Sequence, residues 1–164
     1  LGLAPKVMLA SGVPITAQSM GIMLCGTVLG AKKGTLAVLL FITLTALGLP
    51  LLSGGRGGLG IFASPSVGFI VGFPLAAYVA GLITTKLKMV NIFYSSLLGA
   101  IIGGIFVLYI PGIIGMSIIL GNSISEAMVI ALIYLPGDLI KAFLCATLTQ
   151  TLFKLRPADV LSRS

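Results

Sequence analysis

Residues 125–153 read SEAMVIALIYLPGDLIKAFLCATLTQTLF, an apolar run that, after Glu126 at its start, holds an acid and a base, Asp138 and Lys141, near its middle. The run exceeds the ~20 residues that a helix needs to cross a bilayer. An ionisable group at that depth is costly, about 2.5–3.5 kcal/mol on insertion scales, and such residues usually mark a function. Being three apart, Asp138 and Lys141 share a helix face, so they can neutralise each other and still address one ligand. Pro136-Gly137 just ahead of them is expected to break the helix and start a new segment, a common way of building a site in transporters. The plainer reading is an ion pair that serves only itself. Tyr134, four residues before Asp138, lies on the same face and could stack against a ligand held there.

The rest of the chain agrees with a membrane reading. Of 164 residues, 58% are hydrophobic and only 8% charged, with a mean hydropathy of +1.22. A soluble domain carries about 25% charge. We therefore expect an all-α integral membrane protein, a compact helical bundle forming a single domain over residues 1–164. Five runs read as spans: about Ile15–Gly30, Thr35–Leu52, Ser66–Leu87, Ile92–Leu120 and Ser125–Phe153. The fourth is longer than one crossing. It is expected to span as far as Tyr109, then break at Pro111-Gly112 and continue as a re-entrant segment.

The net charge of +7 does not point to nucleic acid, because the basic residues sit at span ends rather than on one face. Lys32/Lys33, Lys86/Lys88 and the tail with Lys154, Arg156 and Arg163 alternate with connections carrying only Arg56 or only Glu126. The positive-inside rule then makes the chain multi-pass with a cytoplasmic C-terminus, and puts the Arg56 connection outside. Leu1–Ala10 read as the remnant of a preceding sixth helix. The small-residue pairs Gly26/Gly30, Gly68/Gly72, Ala77/Gly81, Gly99/Gly103 and Ala142/Ala146 read first as internal helix packing.

Several chemistries are excluded. There is no histidine, and the two cysteines, Cys25 and Cys145, lie in apolar runs. That removes the common His/Cys metal sites and Ser/His nucleophiles, and no cofactor is expected. Residues 55–60, GRGGLG, fit a dinucleotide fingerprint but follow a membrane run rather than a strand, so that meaning is rejected. No P-loop string is present, so ATP hydrolysis by that device is not open to this chain. Glycines around Arg56 permit close backbone approach to a ligand, and the arginine could pair a carboxylate bidentately. The loop is expected to be mobile and to close as a lid. Gln18, near the start of the first run, either bonds backbone or reads a polar ligand.

An ordered set of motifs resembles the BioY family: PITAQSMG at 14–21, GAKKG at 30–34, GLP at 48–50, GGRGG at 54–58, PSVGF at 65–69, GFPLAA at 72–77 and PGDLIK at 136–141. BioY proteins are substrate-binding (S) components of biotin transporters of the energy-coupling-factor type. The resemblance implies six helices, the first mostly absent here, and a non-enzymatic role in biotin uptake at the cell membrane. It also implies partners: a membrane coupling subunit and a pair of ATP-hydrolysing subunits. Biotin suits the polar residues already singled out. Its ureido ring offers N–H donors to Asp138 and a carbonyl to an amide such as Gln18, and its valerate carboxylate wants Arg56 or Lys141. The spacing leaves open which cation that is. An S component for riboflavin or thiamin, a membrane enzyme using Asp138 as acid or base, and a purely structural subunit remain the rival readings.

Overall fold

Gly30 turns the first long helix back on itself. It has φ 79° and ψ 176° inside α1 (Gln18–Ala46), a backbone that side chains other than glycine's hydrogen rarely tolerate. The two arms, 18–29 and 31–46, therefore run antiparallel. A Cβ on Gly34 would lie 2.4 Å from the carbonyl oxygen of Cys25, so the arms touch backbone to backbone beside the turn. At 1.5 Å per residue they are about 18 and 24 Å long. The expected loop at 31–34 is thus a single-residue turn followed directly by helix. This computed structural model describes residues 7–8, 14–15 and 17–163. Within the first part, Val7–Met8 (β1) and Pro14–Ile15 (β2) form a minimal antiparallel pair, so Ile15 precedes the helix instead of opening it. Leu1–Ala10 lie largely outside the described residues.

Beyond α1 the described chain is helical apart from its connections. A 3-10 turn (Leu59–Ala63) leads to α2 (Val67–Lys86), then α3 (Ile92–Ile101), a π-helical turn (Ile102–Val107), α4 (Leu108–Leu120), α5 (Ile124–Leu132), α6 (Leu135–Leu155) and a second 3-10 turn (Pro157–Asp159). α3, the π turn and α4 make one continuous helix, Ile92–Leu120. The expected break at Pro111-Gly112 does not occur. Proline removes one bond to the preceding turn, and the ladder is already widened there by the π turn that ends at Val107. The fifth run does break. α5 and α6 meet at 53°, two residues earlier than Pro136-Gly137. Pro136 falls in the first turn of α6, where a missing N–H costs nothing.

Small residues let α2 sit at the centre of the bundle. A Cβ on Gly26 would come 2.4 Å from the carbonyl oxygen of Ala77, and one on Gly103 2.5 Å from that of Ala76. The small-residue pairs thus serve internal packing, as expected, and bring helix backbones together where lipid supplies no hydrophobic drive. Large apolar side chains such as Leu40, Val71, Phe106, Ile118 and Phe143 point outward and are exposed, the arrangement of a bundle solvated by lipid.

At the Gly30 end, the tail ties helices together. Ser162 donates its backbone N–H to the Val28 carbonyl at 3.0 Å. Arg163 donates to the carbonyls of Leu87, Lys88 and Val90 at 3.2, 2.6 and 3.0 Å. These are carbonyls near the ends of the first arm and of α2, left without helical partners. Lys32, Lys33, Lys86, Lys88 and Arg156 all belong to this end. Two apolar cores fill the interior, one around Met23, Tyr109, Met116, Tyr134 and Cys145, the other around Ile22, Val38, Leu52, Ile70, Phe73 and Leu108. The cavity described next lies where they meet, at the end of the bundle opposite Gly30.

Candidate functional site

The bend between α5 and α6 puts Asp138 in the first turn of α6. Its N–H bonds the Tyr134 carbonyl at 2.9 Å, and the positive end of the helix dipole favours its carboxylate. One turn on, Lys141 Nζ meets Asp138 Oδ1 at 2.8 Å. The first arm of α1 supplies Ser19, whose hydroxyl donates to the same Oδ1 at 3.1 Å and accepts from Lys141 Nζ at 3.2 Å. From α4, the Tyr109 hydroxyl donates to Asp138 Oδ2 at 2.7 Å. A carboxylate 5% exposed is thereby paired and hydrogen-bonded from three helices, as a buried charge requires.

Most of these residues border a cavity, partly open to solvent, lined by Gln18, Ser19, Leu52, Arg56, Ser66, Phe69, Ile70, Phe73, Leu108, Tyr134, Asp138 and Lys141. All five residues singled out in the sequence, Gln18, Arg56, Tyr134, Asp138 and Lys141, meet here, although 123 positions separate the first from the last. Most of the wall is apolar and aromatic, with a few polar groups converging from separate elements, the usual make-up of a small-molecule site.

The loop that presents Arg56, expected to act as a lid, is a hydrogen-bonded turn in this structure. Leu52 and Arg56 pair across a tight turn, with N···O distances of 3.0 and 3.2 Å. Gly54 and Gly55 take φ 77° and 69° within it, conformations glycine adopts freely. Gly58 N–H bonds Thr45 O at 2.8 Å, and Leu52 and Ser53 are buried. These bonds shape the loop as a tight turn that presents the arginine to the cavity.

Charge accounting separates the two cations. The chain has three acidic side chains. Asp138 pairs with Lys141, Asp159 lies 3.8 Å from Arg156, and Glu126 closes the capping box of α5 on Ser123. Arg56 faces none of them. Its Nε reaches only the Ser53 carbonyl, at 3.4 Å, and its two terminal nitrogens have no protein partner among the described residues. An unneutralised guanidinium and a carboxylate lining the same cavity can hold a small molecule that carries both an anionic group and N–H donors.

Three polar residues here, Tyr109, Ser19 and Ser66, escaped the sequence reading. A tyrosine in an apolar run reads first as a membrane-interface residue, and Tyr78 and Tyr94 are exposed, but Tyr109 is buried. The available signal was a phenol deep in a long apolar run, which needs an acceptor. Ser19 adjoins Gln18 but gave no signal of its own. The aromatic lining from Phe69 and Phe73 was likewise indistinguishable from core.

Residues 2–158 match the sequence model of the BioY family. A biotin transporter BioY of Rhodobacter capsulatus is 42% identical, with 99% of this chain and 90% of that protein covered. One from Rhizobium etli is 46% identical, covering 90% and 82%. A probable biotin transporter BioY of Bacillus subtilis is 41% identical, covering 93% and 84%. The fold matches a crystal structure of the S-component for biotin from an ECF-type ABC transporter with a TM-score of 0.88 at 32% identity, over 94% of this chain and 83% of that one.

Proposed function

This chain belongs to the BioY family, and we propose that it binds biotin in the cavity between α1, α2 and α6 as the S component of an energy-coupling-factor transporter. The observation that carries the reading is the convergence of Gln18, Arg56, Tyr134, Asp138 and Lys141 on one cavity, in a chain whose relatives are biotin transporters. Biotin's ureido N–H goes to Asp138 and its ureido carbonyl to the Gln18 amide. The apolar ring system lies against Tyr134, Phe69 and Phe73. The valerate carboxylate goes to Arg56, because Lys141 already neutralises Asp138 while Arg56 lacks an acid. Biotin is cargo, and the proposal invokes no cofactor.

Energy comes from partners. A membrane coupling subunit and a pair of ATP-hydrolysing subunits are proposed to drive uptake, since this chain carries no P-loop string. The protein is a multi-pass membrane protein, and we place it in the cell membrane with the Gly30 end and the C-terminus cytoplasmic. The cluster of basic residues at that end supports this orientation, and it leaves the cavity facing outward.

Radiolabelled biotin binding to the purified protein tests the function directly. We expect saturable binding that unlabelled biotin displaces and that riboflavin and thiamin do not. Displacement by either of those vitamins, or no saturable binding of biotin, would refute the assignment.

A further inference from the structure

We propose that Tyr109 is a positioning residue of this site: its hydroxyl, set in place by the π-helical turn before it, holds the Asp138 carboxylate in the orientation that receives the ligand's N–H. The inference rests on the reading that Asp138 accepts from biotin's ureido ring.

The acceptor sites of Asp138 can be counted. Oδ1 receives Ser19 at 3.1 Å and Lys141 at 2.8 Å. Two donors fill the two lone-pair sites of that oxygen. Among the described residues Oδ2 receives only Tyr109, at 2.7 Å, which leaves one site there for a ligand donor. The ligand and Tyr109 therefore share one oxygen, and the tyrosine determines where its second lone pair points.

The backbone explains how Tyr109 comes to be there. Residues 102–107 form a π-helical turn that ends two residues before it. One extra residue in a turn rotates everything after it by about 100° relative to an unbroken α-helix. That rotation turns Leu108 to the cavity wall and Tyr109 to Asp138, while Phe106 is left exposed on the outside. The turn is held by close packing, since a Cβ on Gly104 would fall 2.4 Å from the Met23 side chain. Phe69 braces the phenol ring from the cavity side, edge to face, with centroids 6.1 Å apart.

The test is Tyr109→Phe, which keeps the ring and removes the donor, in the full-length protein with labelled biotin. Biotin affinity should fall by about threefold to tenfold, as befits one bond to a charged group acting through an intermediary. A purely structural tyrosine would weaken every ligand alike, so the second ligand is biotin methylated at its ureido nitrogens, measured by competition. Its affinity should not change. In an Asp138→Asn background, Tyr109→Phe should produce no further loss of biotin binding. An equal loss for both ligands, an undiminished loss in the Asp138→Asn background, or no loss at all with wild-type binding intact overturns the positioning role alone. A wild-type protein that binds no biotin overturns the functional reading and this inference with it.

Discussion

Replacing Arg56 by glutamine should remove most of the recognition of the ligand's carboxylate and leave the fold alone. The backbone N–H and carbonyl of Arg56 are held by Leu52 whatever the side chain. The one bond the side chain makes among the described residues, to Ser53 O, is long at 3.4 Å. Stability should therefore change by less than about 0.5 kcal/mol. A hydrogen bond to a charged group contributes about 1.5–3 kcal/mol. Arg56 stands partly exposed at the rim, and water screens it, so about 1.5–2 kcal/mol is the fitting share. Biotin should then bind roughly 10- to 30-fold more weakly. The assay is equilibrium binding of biotin and of biotin amide, which has no ionised carboxylate, to wild-type and Arg56→Gln protein. Wild-type protein should bind the amide about as weakly as the variant binds the acid, and the variant should discriminate little between them. If Arg56→Gln loses equal affinity for both ligands, the arginine does not read the carboxylate. If it loses none while Lys141→Met abolishes the discrimination, the carboxylate belongs to Lys141.

Three further outcomes follow from the same geometry. Asp138→Asn or Lys141→Met alone leaves one buried charge uncompensated and should cost about 3–5 kcal/mol of stability; the double variant should regain thermal stability without regaining biotin binding, whereas recovery of binding would take the pair out of the site. Gly81→Ala puts a Cβ 2.4 Å from the Ala31 nitrogen, where only backbone could yield, and should lower the melting temperature by about 3–10 °C. Gly137→Ala, into open space, should not lower it, and equal melting of the two would contradict the described contact of α1 with α2. Cysteine in place of the exposed Ser125 should react with an impermeant thiol reagent in intact cells while cysteine in place of Ala158 should not; the reverse labelling would invert the proposed orientation.

The class of fold and the polar half of the site could be read from the sequence because both rest on cost. Apolar runs with 8% charge over the chain are stable only in lipid as helices that satisfy their own backbone. An acid and a base one helical turn apart in such a run can survive only together. The small-residue pairs announced close helix contacts for the same reason, since no other residues allow backbones to approach in lipid. The convergence of Gln18 and Arg56 with Asp138 and Lys141 was anticipated through the family's motifs, and the folded chain then brought them to one cavity.

Other features depend on how helices meet, which local sequence does not encode. Gly30 reads as an ordinary span end, yet contact with Gly81 and the tail turns it into a one-residue reversal. Pro111 reads as a breaker, but the π turn ahead of it and packing against α2 keep the helix whole. The glycines around Arg56 do not announce the turn that bonds to Leu52 and Thr45 shape there. Tyr109 has no partner within its own helix; its acceptor is 29 residues away on α6, and only the rotation set by the π turn brings the two together. The assignment of Arg56 rather than Lys141 to the carboxylate likewise needed the tertiary structure, because it depends on which acids each cation fails to meet.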